Sequence, residues 1–198
     1  MDISEFFSLR IDLGASRYVQ VGGEELLAVG EKDVLSGNYA GVNLPLRFNQ
    51  KYGRKWGDLV GTGWLSLYLI STKFRAALEE NKLTGWQTFS VEVFNKRKIV
   101  VEGFYGLSII GKCGPINYSK SEMMTKRLVP TGPLVNRHRG LHVGLDQWDG
   151  MDFFIPFGST HIIASPRAAT IIEDGHFENV RLENLADVEI PEVVIQNC

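Results

Sequence analysis

Apolar positions in the first third of the chain fall in short runs, RYVQV, ELLAV and LPLRF, interrupted by Gly, Asn and Pro. Between residues 9 and 63 this punctuation predicts short strands joined by turns and loops. The pattern then changes. WLSLYLI (64–70) reads as a strand and runs into a stretch where Phe74, Ala77 and Leu78 fall at i, i+3 and i+4. That spacing puts them on one face of a helix and leaves Lys73, Glu79 and Glu80 in water. Ser71 or Thr72 is placed to accept a hydrogen bond from the first unpaired amides, so a helix is predicted over about Thr72–Asn81. Gly85 follows in the loop, and QTFSVEVF (87–94) alternates as a strand.

The same devices return further along. HIIA reads as a strand, Ser165 as a cap, and Pro166 stands at the first helical position, where a missing N–H costs least. Ala168, Ala169, Ile171 and Ile172 supply an apolar face, and EDG ends the helix. FENVRLENL then returns as a strand. Leu78-Glu79-Glu80 and Ile172-Glu173-Asp174 close the two helices in the same way. A strand-helix-strand unit present twice is too few for a solenoid, so an internally duplicated α+β fold is expected, with mostly antiparallel sheet and few short helices.

KIVVEGFYGLSII (98–110) reads as one long strand or a hairpin broken near Gly103 and Gly106. Residues 112–140 hold three prolines and three glycines with little apolar period, which predicts a long connecting loop. The expected organisation is therefore one domain, 1–198, with repeat-related halves at about 1–111 and 141–198.

Composition narrows the function classes. The chain is 44% hydrophobic and 22% charged, as a soluble globular protein is. No apolar run approaches the roughly 20 residues of a membrane-spanning helix. Asp2 and Glu5 stand where a secretory signal would be basic, so a cytoplasmic location is expected. Two cysteines, Cys113 and Cys198, are too few for a four-thiolate zinc site. A net charge of -2 argues against a protein drawn to nucleic acid by its overall field.

The densest chemistry is RHRGLHVGLDQWDGMDFF, which brings His138, His142, Asp146, Asp149 and Asp152 close in sequence. Such groups could bind a metal or exchange protons. However, Arg139 stands where an H-E-x-x-H helix needs its Glu, and Leu145 occupies the first ligand position of a Ca²⁺ loop counted back from Gly150. The plainer reading is a tight turn at Asp149-Gly150. FGSTH sets Ser159 near His161 without the strained G-x-S-x-G elbow. Cys113 reads as an inert turn cysteine, and GTGWLS has only two glycines of a dinucleotide fingerprint and precedes a strand. No cofactor is expected. The basic group Lys120, Lys126, Arg127, Arg137, His138 and Arg139, with Tyr118, reads as a solvated loop, a phosphate-contacting surface or part of a protein interface. Arg127, Arg137, Arg139 and Tyr118 are the candidate partner-binding residues, and Trp56, Trp64, Trp86, Trp148 and Tyr105 are available as aromatic anchors.

From Leu141 to Asp187 the chain resembles a family of bacterial immunity proteins of polymorphic toxin systems, the myxobacterial type related to the double-CXXCG proteins. WDGMDFF is similar to that family's W-D-G-x-D-hydrophobic signature, and IIASPRAATIIEDGHFENVRLENL to the helix that follows it. The similarity is weaker from Trp64 to Val93. A CXXCG knuckle would place its first Cys at 110, where this chain has Ile110 before Gly111, Lys112, Cys113 and Gly114, so a zinc role does not carry over. The resemblance implies a non-catalytic protein that binds a cognate toxin stoichiometrically, with Trp148, Asp149, Gly150 and Asp152 as structural motif residues. The alternatives are a small metal-dependent or acid/base enzyme built on His138, His142, Asp149 and Asp152, and a nucleic-acid adaptor using the basic group.

Overall fold

The computed structural model describes residues 2–12, 17–23, 30–64 and 66–191; the ELLAV run and Cys198 lie outside them. In chain order its elements are β1 (Phe7–Ile11), β2 (Gln20–Gly23), α1 (Glu31–Leu35), β3 (Leu46–Tyr52), β4 (Leu59–Gly61), β5 (Tyr68–Ser71), α2 (Thr72–Glu80), β6 (Trp86–Phe89), β7 (Val91–Phe94) and β8 (Phe104–Ile109). They continue with β9 (Gly111–Ile116), β10 (Glu122–Arg127), β11 (Leu134–Arg139), β12 (Val143–Gly144), β13 (Phe153–Pro156), β14 (Ile163–Ala164), α3 (Pro166–Asp174), β15 (Val180–Asn184) and β16 (Glu189–Pro191). Many short strands and few short helices make this an α+β fold. Among the described residues the ladders are antiparallel except β2 with β4, β3 with β7 and β9 with β13.

Both longer helices begin as their sequences predict. The Ser71 hydroxyl accepts from the Phe74 amide at 3.0 Å, and the Ser165 hydroxyl from the Ala168 amide at 3.2 Å. Each such cap contributes about 1 kcal/mol. Phe74 and Leu78 on α2, and Ala168, Ala169 and Ile172 on α3, are the buried faces.

The strands form three sheets. The seven-stranded sheet runs β6-β8-β5-β4-β2-β3-β7, the six-stranded sheet runs β15-β1-β14-β13-β9-β12, and β10-β11-β16 form the third. Six strands of the first sheet, from β6 to β3, match the second in direction at every step: three antiparallel pairings, one parallel, one antiparallel. Register matches as well. Leu59 faces Ile70 and Val60 faces Leu69, as Phe153 faces Ala164 and Phe154 faces Ile163. The larger core cluster draws on both sheets, from Leu59, Leu69, Phe74 and Leu107 to Leu9, Phe153, Ile162 and Ala168.

Three expectations are corrected. QTFSVEVF is two strands, since β6 pairs with β8 and β7 with β3, at opposite edges of one sheet. Consecutive strands on opposite edges require that sheet to curl round on itself, and period-2 alternation carries no trace of the change of partner. Residues 112–140 are not a long loop: they hold most of β9, then the β10–β11 hairpin. That hairpin is half-buried at most, so it lacks the apolar alternation that marks a core strand. The expected first half, 1–111, does not keep to one sheet. β1, at the N-terminus, inserts between β14 and β15, where it occupies the place β8 holds in the other sheet.

Candidate functional site

Where the two sheets meet, each helix cap is tied to a buried carboxylate. The Ser71 hydroxyl donates to Asp58 Oδ1 at 2.6 Å and the Ser165 hydroxyl to Asp152 Oδ1 at 3.0 Å, each acid lying thirteen residues before its serine. The second oxygen of each acid reaches the exit of the opposite helix. Asp58 Oδ2 accepts from the Glu178 amide at 2.8 Å; Asp152 Oδ2 accepts from the Thr84 amide at 2.9 Å and the Thr84 hydroxyl at 3.0 Å. The first turn of each helix adds a cation. Lys73 Nζ lies 3.9 Å from Asp58 and donates to the Gly175 carbonyl, while Arg167 bonds Asp152 at 3.0 Å and the Asn81 carbonyl at 2.5 Å. Corresponding residues stand 94 positions apart, the same separation as Ser66 and Thr160, whose hydroxyls are 3.5 Å from each other. Asp152 thus spends its carboxylate on holding the two sheets together.

The rest of the WDG segment is engaged in the same way. Trp148 is half-buried against Phe6 and Phe154, with ring centroids 5.2 and 5.4 Å away, and its indole N–H donates to the Met151 carbonyl at 3.0 Å. Asp149 accepts from the Lys112 amide at 2.7 Å and the Met151 amide at 3.1 Å. Gly150 takes a φ of 81°, which favours a residue without a Cβ.

The histidine and aspartate residues of this region are not assembled into a centre. Among the described residues no three of His, Cys, Asp and Glu come together to hold a metal ion. His138 sits on β11 between Met123 and Ile190, whereas Asp152 lies at the sheet junction. His142 lines an open hollow of about 700 Å³ with Asp2, Lys120 and Asp146, and burial followed by the Lys120 charge lowers its pKa. Ser159 accepts from the His161 backbone amide at 3.1 Å, a turn contact. In GTGWLS, Thr62 bonds the Leu67 carbonyl and the Trp64 amide, also a turn. Cys113 is buried, and burial pushes its thiol up to about 12, which makes it a poor nucleophile.

The candidate partner-binding residues lie on and beside the β10–β11 arm. β10 is its edge strand, and β11 joins it to β16. Glu189 of β16 pairs with Lys126 and, at 3.1 Å, with Arg137, and the Lys126 hydrogen bond is the main reason its carboxyl is held below the usual range. Arg139 pairs with Asp187, and Arg127 donates to the Gly132 carbonyl across the turn. Arg137 and Arg139 therefore anchor the arm, which corrects the expectation that they lie on a loop. Arg127 stays exposed. Tyr118 packs under the smaller core cluster of Phe6, Leu141, Phe154 and Ile190. Beside the exposed Thr125, Arg127 and Asn136 the arm also shows apolar side chains: Met123 is 66% exposed, Leu134 60%, and Leu128 and Val129 at the turn 59% and 57%. Charge pattern drew attention to the cations, whereas exposure singles out these four side chains.

All four tryptophans are packed rather than displayed: Trp56 against Phe104, Trp64 against Phe48, Trp86 through its indole N–H on the Leu83 carbonyl, and Trp148 as above. Tyr105 carries the Arg75 guanidinium 4.5 Å over its ring. A cleft of about 310 Å³ between the two sheets was not signalled by any motif; Arg10, Trp64, Tyr68 and His161 line it, drawn from β1, the β4–β5 turn, β5 and the segment before β14. No helix of the described residues is long and apolar enough to cross a membrane. Compared with protein-family models and with curated proteins, the chain matches none.

Proposed function

We propose that this chain is a cytoplasmic immunity protein that binds a cognate bacterial toxin stoichiometrically and neutralises it, with the β10–β11 arm as the contact. The observation that carries this reading is the arm's outward face, where Met123, Leu128, Val129 and Leu134 are each more than half exposed. Large apolar side chains grouped on a surface mark interaction sites more often than chance allows. A two-stranded hairpin is marginal by itself, and here the ion pairs of Glu189 and Asp187 hold it to β16. The arm is therefore tied to the body of the fold along β11, with β10 outermost. Its edge strand β10 leaves main-chain groups for a partner strand. The WDG resemblance supports a toxin as that partner. We read the two matching sheets as copies of one duplicated unit that serve as its frame.

The test is a tagged pull-down from the native cell at moderate salt, with mass spectrometry and metal analysis on the same sample. One stoichiometric protein, captured by the wild type and lost with Leu128→Asp/Leu134→Asp, supports the reading, provided that protein poisons cells lacking this chain. An absent partner with about one tightly held metal per chain would move the function to the histidine and aspartate residues.

A further inference from the structure

We propose that the cleft between the two sheets, lined by Arg10, Tyr68 and His161, binds a small organic acid with a flat apolar body. The first support comes from comparing the two sheets. Ile162 holds the register of Tyr68, and Leu67 that of His161; both are core residues, 1% and 0% exposed. The frame is thus satisfied by an aliphatic side chain at each of these positions. A phenol, hydrogen-bonded to the Ile11 backbone, and an imidazole place polar atoms there that packing does not require. Departures from the local rule of this kind concentrate at sites of function.

The second support is that a helix narrows the equivalent hollow of the other sheet, to about 240 Å³. Ser108 and Ile109 pair with Gln87 and Trp86 as Arg10 and Ile11 pair with Arg181 and Val180. Over Ser108 and Ile109 lies α1, whose Val34 carbonyl accepts from the Ser108 hydroxyl at 2.5 Å while Leu35 packs beside Ile109. Over Arg10 and Ile11 the described residues leave the cleft.

The lining sets the ligand class. Among its described residues there is no carboxylate, and Arg10 is the charged one. Arg10 is held in place by its Nε bond to Ser8 at 3.0 Å and its Nη1 contact with Glu183 at 2.9 Å, so its remaining edge is presented without loss of side-chain freedom. The Tyr68 hydroxyl and the His161 ring add donors suited to a carboxylate. Trp64, Ile11 and Ile162 form apolar walls, and the volume lies at the lower end of the roughly 300–1,000 Å³ usual for small-molecule sites, enough for a single ring.

The experiment is an NMR titration of the full chain with benzoate and phenylacetate, each against its neutral amide, following the imidazole signals of His161 in the wild type and saturation transfer to the ligand's own resonances in every variant. Saturable shifts with a Kd near or below about 1 mM, and at least about tenfold weaker binding of the amides, are expected. Tyr68→Ile with His161→Leu places in the cleft the residues the other sheet uses; this variant should melt at an unchanged or higher temperature and bind neither acid. Arg10→Gln should lose the preference for acid over amide. No shift with either acid, equal binding of acid and amide, or acid binding that survives in the folded double variant overturns the proposal. Toxin capture by the arm is an independent readout and should be unchanged in these variants.

Discussion

Asp152 is the sharpest place to test whether the WDG segment holds the frame. Its side chain is 9% exposed, and its two oxygens accept from the Ser165 hydroxyl, the Thr84 amide, the Thr84 hydroxyl and Arg167, all within 2.9–3.0 Å. Asp152→Ala strands the buried Ser165 hydroxyl and takes the acceptor from the part-buried Thr84 amide. Each unsatisfied donor costs about 1–3 kcal/mol. Arg167 is 55% exposed and rehydrates, so its share is discounted to well under 1 kcal/mol. The expected loss is therefore about 2–4 kcal/mol, a large part of the stability of an ordinary domain. Asp152→Asn keeps one acceptor oxygen and places an NH₂ among donors, for a loss of about 2–3 kcal/mol. The assay is urea unfolding followed by tryptophan fluorescence, with Asp58→Asn measured alongside. Asp58 holds the matching cap at 2.6 Å and the matching amide at 2.8 Å, so its cost should be comparable. A shift of under about 0.5 kcal/mol in both asparagine variants is the surface-substitution range and would refute the reasoning. Loss of partner capture with stability intact would instead place Asp152 in a binding surface.

Other predictions follow from single observations. His161 is pushed down to about 4 by burial and by Arg10, against an ordinary value of 6.5. The unfolded chain therefore binds more protons between those values, so this contribution is complete above pH 6.5 and is lost as pH falls toward 4. Urea unfolding of wild type against His161→Leu should show a difference growing by up to about 3 kcal/mol over that interval, and parallel pH curves would contradict it. In a Cys198→Ser background, Cys113 should resist a disulfide reagent at pH 7.5 until urea is added, because burial holds its thiol up to about 12; immediate labelling of the folded protein would show an open site. Gly85 has a φ of 84°, and a Cβ there would stand 2.0 Å from the Phe153 carbonyl oxygen. Gly85→Ala should cost about 3 kcal/mol or more in the same unfolding assay, whereas Gly150→Ala, with nothing within 4 Å and only its φ of 81° to strain, should cost about 1–2 kcal/mol.

Much of the local architecture can be read from the chain itself. Ser71 and Ser165 cap helices because a hydroxyl before an apolar i, i+3, i+4 pattern meets an unpaired amide three residues on, and that geometry is local. The α+β class and the two helix-strand transitions have the same origin. Tertiary structure decided the rest, since it depends on partners distant in sequence. Asp58 and Asp152 carry no local sign of being shared hubs; their second oxygens meet residues 120 and 68 positions away. QTFSVEVF alternates as one strand, yet its halves pair at opposite edges of a sheet, and alternation encodes a face and not a partner. The arm reads as a loop because a hairpin held by Glu189 and Asp187 does not need an apolar period. Arg10, Tyr68 and His161 share no motif, and only the insertion of the N-terminal strand between β14 and β15 brings them to one cleft. Local spacing therefore determines which elements form, whereas long-range pairing, stabilised by burial that no short window contains, determines which side chains meet.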